Sequence, residues 1–464
     1  YKSKEISQKD CVGEIKSIPI ISWFFDQGFQ NINYYNQSVV LSVSAQVSSS
    51  GLKEMFSTLI KRHDALRINF DVQKNIGYYN TKHLNGEYDI PYFDISDEGE
   101  IEQNERIRIL GERFKFGFDI TKDLLFKIVV FKLGENSYKW LIIAHHLVMD
   151  GISFRVIISD INAMLKQYLR NEKFKLERKT SSYSEWSNLL QDFDCDSKSF
   201  WEETCESKFR FLGNVPESRK VSFLKVKLSN FLDAEKTNLL FTKANIAYGT
   251  KINDLIVTAL FVTIKELTMQ RDILIALEGH GREDISKDVD ISQTVGWFTS
   301  IYPLRIILNE DSLRESIIKV KEKLRNVPNN GLDFGVYKYI KKEIDYDLKD
   351  LIRFNFMGDF DTDNSESDIA KLVVQNTGND SDKNNALGCL MDINCFKTQG
   401  KFFINVIFNG NMFSRECVKT FIEKYLQILD EVIIHCVDKN ESEFTASDFN
   451  ESGLSQKDLE ALFI

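Results

Sequence analysis

Residues 138 to 168 leave this chain little freedom in how it folds. Tyr138-Lys-Trp-Leu-Ile-Ile-Ala144 is short, aromatic and β-branched, with no Gly or Pro, and reads as a strand. From Ser153 the apolar residues recur at three- and four-residue steps through Ile161, Met164, Leu165 and Tyr168, which is the period of an amphipathic helix. Between them lies His145-His146-Leu-Val-Met-Asp150-Gly151, so the paired histidines sit where a strand runs through a loop into a helix. Side chains alternate along a strand, so His145 and His146 point to opposite faces and cannot share a role. One can look into a cleft while the other packs. Gly151 is expected to let the backbone turn tightly after Asp150, and Asp150 is placed to cap the helix. Imidazole is the side chain best suited to moving protons near neutral pH.

The chain has 464 residues, 43% of them hydrophobic, which is apolar material for two or three domains rather than one. A net charge of -10 argues against a nucleic-acid partner, which would call for a basic face. No window approaches eighteen uninterrupted apolar residues, so no membrane span is expected, and the first residues lack the apolar core of a signal peptide. Seven scattered cysteines with no Cys-x-x-Cys spacing read as reduced, mostly buried thiols of a cytoplasmic protein. Six histidines without a His-x-x-x-His pair speak against zinc.

Strands and helices alternate in both halves. Val39–Val43, Leu124–Leu133, Asp272–Glu278, Ile301–Leu308, Lys371–Val374, Leu390–Phe396 and Lys401–Phe408 read as strands. Gly51–Lys61, Lys251–Leu267, Ser312–Arg325 and Ser414–Val437 read as helices. Asn171–Ser182 is basic and polar and reads as a linker. The run from Ser199 to Arg219 shows no clear period, and a second lobe is expected to begin near Val221. The reading is two α/β lobes: residues 1–180 carrying the histidine pair, and residues 181–464 holding the linker and a C-terminal lobe.

Five stretches, in order along nearly the whole chain, carry a resemblance. They are Pro19-Ile20 with Trp23-Phe24-Phe25 and Asn36-Gln37-Ser38; His145-His146-x-x-x-Asp150-Gly151; Glu278-Gly-His-Gly-Arg-Glu283; Val295-Gly-Trp-Phe-Thr-Ser300; and Phe354-Asn-Phe-Met-Gly-Asp-Phe360. Together they resemble the epimerization domains of nonribosomal peptide synthetases, a branch of the condensation-domain superfamily. The resemblance implies an α/β fold of two chloramphenicol-acetyltransferase-like lobes in a V-shaped pseudodimer with a central tunnel. It implies cofactor-independent conversion of an L-aminoacyl or peptidyl thioester to an L/D mixture. The substrate rides on the phosphopantetheine arm of a peptidyl carrier protein, beside other synthetase domains of antibiotic biosynthesis.

Chemistry points the same way. Inverting a Cα centre takes acid/base groups on opposite faces, or one group and a relayed proton, and a thioester carbonyl stabilises the enolate. The resemblance assigns these roles to His146 and Glu278, each at a strand end in a different lobe. Glu278 then needs a raised pKa, or His146 a matched one; the plain reading of Glu278 is an ion pair with Arg282 or another base. The resemblance pairs Asp150 with an upstream arginine, for which Arg62 is the matching residue, and leaves His145 structural. His280 is a supporting group or a loop histidine. Trp297, Phe298 and Ser300 wall the tunnel or belong to the core. Asn355 is a candidate to hydrogen-bond the enolate oxygen or the peptide. Phe356 stands where the family commonly has Tyr, which would remove one contact to the enolate, and Ile21 replaces a usual Gln as a packing change. The alternatives are a condensation domain joining two carrier-bound residues, and a catalytically impaired docking module for carrier proteins. A plant-type acyl transferase is matched only in part, at Asp333-Phe-Gly-Val336.

Overall fold

The computed structural model describes residues 6–211, 223–361 and 365–449. Val221, and the run up to Arg219 from residue 212, lie outside them. Two main sheets organise the chain. In the first half, strands β1 (Gly13–Ile15), β2 (Asn36–Val43), β3 (Ile68–Asp71), β4 (Ile76–Tyr79), β5 (Tyr92–Asp94), β6 (Phe126–Gly134) and β7 (Ser137–His145) alternate with helices α1 (Pro19–Asp26), α2 (Ser49–Arg62), α3 (Glu100–Lys115) and α4 (Gly151–Leu169). After α5 (Tyr183–Gln191) and α6 (Lys198–Cys205) come β8 (Lys225–Leu232), α7 (Ala234–Phe241), α8 (Ile252–Thr268), β9 (Asp272–Gly279), β10 (Ser300–Ile307) and α9 (Leu313–Arg325). A short α10 (Leu332–Gly335), β11 (Ile352–Asp359), β12 (Ala370–Val373), β13 (Met391–Thr398), β14 (Lys401–Asn409) and α11 (Arg415–Val437) complete the chain.

The first sheet runs β12-β2-β7-β6-β5, the second β10-β9-β11-β13-β14-β8, and β1-β4-β3 form a small third. β7 is central in the first sheet, antiparallel to β2 and β6, and buried from Trp140 through His145. That is why its sequence is continuously apolar rather than alternating. Leu141, Ile142 and Ile143 are wholly buried, each worth roughly 1.5–3 kcal/mol of apolar transfer. Asp150 caps α4 by accepting from the Ser153 amide at 2.8 Å. In the other half, α8 is buried along Asp254–Ile264 because α9, α11 and β9 all pack on it.

The chain does not keep to a cut at residue 180. β12, from the second half, is an edge strand of the first sheet, antiparallel to β2 with Ala370 opposite Val43. Asn162 of α4 locks it there, accepting from the Ala370 amide at 2.9 Å and donating to its carbonyl at 2.9 Å. α1 in turn packs on β10. The aperiodic reading after Ser199 is corrected at its start: Lys198–Cys205 is helical, with Trp201 fully buried. All seven thiols are free, but only Cys395 and Cys436 are buried and Cys417 is exposed, so burial is not general. No helix among the described residues is long and apolar enough to cross a membrane.

Candidate active site

The two histidines diverge as strand alternation requires. His145 is fully buried, edge-on to Phe24 and Phe118. Its Nε2 donates to the Ile32 carbonyl at 2.9 Å while Nδ1 accepts from the Leu147 amide at 3.2 Å. Burial holds its pKa down at about 3, so it is a neutral structural group. His146 is half-buried and lies between two rings, Trp297 at 4.1 Å and Tyr35 at 5.6 Å. Its Nδ1 faces the Met149 carbonyl at 2.8 Å, and a carbonyl can only accept, so the proton sits on Nδ1. Nε2 therefore carries the lone pair, and Gln37 Nε2 donates to it at 2.8 Å. Burial holds this imidazole down at about 4, with Asp150 opposing and Arg353 reinforcing the shift.

Asp150 holds the loop from beneath. It is buried, and its carboxylate accepts from Ser153 Oγ at 2.8 Å, the Phe298 amide at 3.1 Å and Arg282 at 3.1 Å. The expected partner Arg62 is elsewhere: it is the last residue of α2, donates to the Arg178 carbonyl at 2.8 Å and feels the charges of Asp160 and Asp64. Sequence matching failed because the true partner arrives from the other half of the chain. Arg282 also donates to the carbonyls of Ile291 (3.0 Å) and Thr294 (2.7 Å) and lies 4.0 Å over the Phe298 ring. Phe298 thus supports Arg282 rather than facing His146. Gly281, at φ 67°, makes this possible, since a Cβ there would run into the Phe298 carbonyl. Gly151 needs no such freedom: its φ is not left-handed, and a Cβ would meet open space, which corrects the tight-turn reading.

Glu278 is the penultimate residue of β9, and the base it pairs with is Arg353 of β11, with Nε 3.1 Å from Oε1. The Arg353 hydrogen bond goes to Asp392 Oδ1 at 3.0 Å, across the parallel β11–β13 pairing where Arg353 stands opposite Asp392. Burial pushes the Glu278 carboxyl up to about 7, Arg353 opposes and Asp392 adds to the rise. Trp23 joins the two groups, since its ring lies 5.4 Å from the Arg353 guanidinium and 6.2 Å from Trp297. Tyr35, stacked on His146, also feels the charges of Arg353, Glu278 and Asp392. His146 and Glu278, from opposite halves, thus share one aromatic-walled cluster.

Asn355 lies two residues from Arg353 on β11 and so shares its face. Phe356 faces the other way, against Phe241 at 6.3 Å and Phe402 at 6.5 Å. A hydroxyl there would point among those rings, so the reading of Phe356 as a lost enolate contact is corrected. His280 is exposed, and its Nδ1 accepts from the Arg282 amide at 3.0 Å, which steadies the turn that carries Arg282. Ser300 Oγ reaches the Asn330 carbonyl at 3.4 Å, and Ile21 is buried in α1. Tyr35, Arg353 and Asp392 were not singled out from sequence, and Gln37 stood in a quoted stretch without a role at the site. Alternation back from Asn355 would have found Arg353; Asp392 comes through strand pairing, which spacing does not reveal. Among the described residues no group of three or more His, Cys, Asp or Glu side chains could hold a metal ion.

Two sheets bridged by exchanged elements, with a buried His-loop clamped from the opposite half, define a two-lobed acyltransferase-like α/β protein. The chain belongs to the Condensation domain family, whose model matches residues 20–455. It is 32% identical over 476 residues to bacitracin synthase 3 of Bacillus licheniformis, covering 99% of this chain and 7% of that protein. It is 32% identical over 492 residues to gramicidin S synthase 1 of Brevibacillus brevis, covering 99% of this chain and 44% of that protein. The chain thus spans less than half the length of these curated relatives. Among solved structures, it is similar to the epimerization domain from the third module of tyrocidine synthetase B, at 25% identity and a TM-score of 0.83, covering 93% of this chain and all of that one. The X-domain from teicoplanin biosynthesis shares the fold, at a TM-score of 0.69 and 15% identity over 93% of this chain and 98% of that one. The two lobes are chloramphenicol-acetyltransferase-like, as in those domains.

Proposed function

We propose that this chain epimerises the Cα of an aminoacyl or peptidyl thioester carried on the phosphopantetheine of a peptidyl carrier protein, without a cofactor. One observation carries the reading. A neutral imidazole with its Nε2 lone pair unprotonated and a buried carboxyl held up at about 7 meet in one aromatic-walled cluster, from different halves of the chain. Glu278 is thereby an acid matched to neutral pH, and His146 is an imidazole free of its Nε2 proton there. The similarity to the tyrocidine synthetase epimerization domain supports it.

In the proposed reaction the substrate displaces the Gln37 amide from His146 Nε2, the Cα–H bond breaks and its proton passes to that nitrogen. The electron pair moves onto the thioester carbonyl as an enolate, with Asn355 as candidate donor to the oxygen. Protonated Glu278 returns a proton to Cα from the opposite face, leaving imidazolium and carboxylate. Both then exchange with solvent to restore the resting state. Arg353 keeps the resulting carboxylate from being an uncompensated buried charge.

The family also includes condensation domains, so amide formation between two carrier-bound residues is the second reading. The third reading, a catalytically impaired docking module, draws no support from Phe356, whose ring packs against Phe241 and Phe402. The test loads a carrier protein with an L-aminoacyl or peptidyl phosphopantetheine and incubates it with this chain in deuterated water. Deuterium in D-product, abolished by His146→Ala and by Glu278→Gln, is the expected result. No uptake across several loaded residues overturns the reading, and amide formed with a second loaded carrier establishes the other.

A further inference from the structure

Gln37 stands on β2 directly across from Ala144, one residue before the histidine pair, and its side chain meets the functional edge of His146. Its Nε2 donates to His146 Nε2, yet its own Oε1 is buried without a hydrogen-bond partner. Buried amide oxygens are seldom left unpaired in folded proteins. Beside His146 the orphan has a chemical meaning. The imidazole proton on Nδ1 is fixed by the Met149 carbonyl, so only Nε2 can change state. When Nε2 holds a lone pair, it takes the amide N–H; when Nε2 holds a proton, it needs an acceptor, and the same amide carries one at its other end.

We propose that Gln37 is a positioning residue whose amide caps the His146 Nε2 lone pair at rest and turns about its Cγ–Cδ bond to accept from the Nε2–H formed by proton transfer. This rests on the proton-transfer role proposed for His146. In each state the imidazole keeps a partner, and the turned state makes a charge-assisted hydrogen bond, about twice as strong as a neutral one. The other groups against the ring do not supply this. Tyr35 and Trp297 offer it ring stacking, His145 packs away from it, Asp150 is occupied beneath the loop, and Arg353 brings only positive charge.

The test reads the His146 titration by nitrogen NMR of histidine-labelled protein, without substrate, in the wild type, Gln37→Glu and Gln37→Met. A Glu can accept but not donate, so the Glu variant raises the His146 midpoint by roughly one to three units. Met donates nothing and accepts only weakly, and it costs the protonated ring the stronger bond, so its midpoint lies no higher than the wild type's. A fixed cap stabilises only the neutral ring, and its loss would move the midpoint up. A Met variant that titrates higher than wild type, or a Glu variant that titrates with it, overturns the proposal. With the expected shifts but no Cα exchange on loaded carriers, the coupling stands and the epimerase reading falls.

Discussion

Arg282 of the Glu278–Glu283 stretch closes on Asp150 of the histidine loop at 3.1 Å, and this buried ion pair ties the loop to the second half of the chain. Both side chains are almost wholly buried, at 7% and 6% exposure, so the carboxylate has no water to fall back on. Arg282→Ala should therefore cost about 3–5 kcal/mol by leaving Asp150 an unpaired buried charge. Denaturant unfolding reads this loss. Arg282→Lys should not rescue it, because one ammonium cannot serve Asp150 and the carbonyls of Ile291 and Thr294 together.

His146→Ala should reduce Cα deuterium exchange by roughly a hundred- to ten-thousand-fold. Circular dichroism should show the fold retained, because His146, unlike His145, is only half-buried. His145→Ala, by contrast, should lower stability by about 2 kcal/mol or more, as the Leu147 amide and the Ile32 carbonyl lose their partner.

Exchange should fall as pH rises above about 7, because the acid form of Glu278 is then lost. The stability consequence has the same sign. A carboxyl raised from 4.5 to about 7 favours the folded state fully below pH 4.5, and that contribution is lost as pH rises through 7. Glu278→Gln should thus be more stable than wild type at pH 8, on the order of 1–3 kcal/mol, with the difference shrinking or reversing at pH 5. Melting temperatures at the two pH values measure it.

The histidines work in the other direction. His145 and His146 are lowered to about 3 and about 4, so the unfolded chain binds their protons first. Their contribution is present above pH 6.5 and is lost progressively as pH falls toward 4. Unfolding free energy should decline over that window, and His146→Phe should flatten the decline.

Phe356→Tyr should leave the Cα exchange rate within about a factor of two, since the ring faces Phe241 and Phe402. A hydroxyl placed among those rings should cost roughly 1–3 kcal/mol. A rise of tenfold or more in exchange would place that position on the reacting face after all.

Local chemistry was readable from residue order alone. Apolar continuity marked β7 and three- and four-residue spacing marked α4, because those periods are properties of the backbone itself. Alternation separated His145 from His146 before any contact was known. The motif residues His146 and Glu278 could be singled out, but their partners could not. The tertiary structure decided that Asp150 answers to Arg282 and not Arg62, and that Glu278 answers to Arg353 and not Arg282. It also decided that β12 crosses to the first sheet and that Gln37 meets His146. The physical reason is common to all four. Each is a contact between segments far apart in the chain, set by strand pairing and by the burial of charge, and neither quantity is encoded in spacing along one stretch.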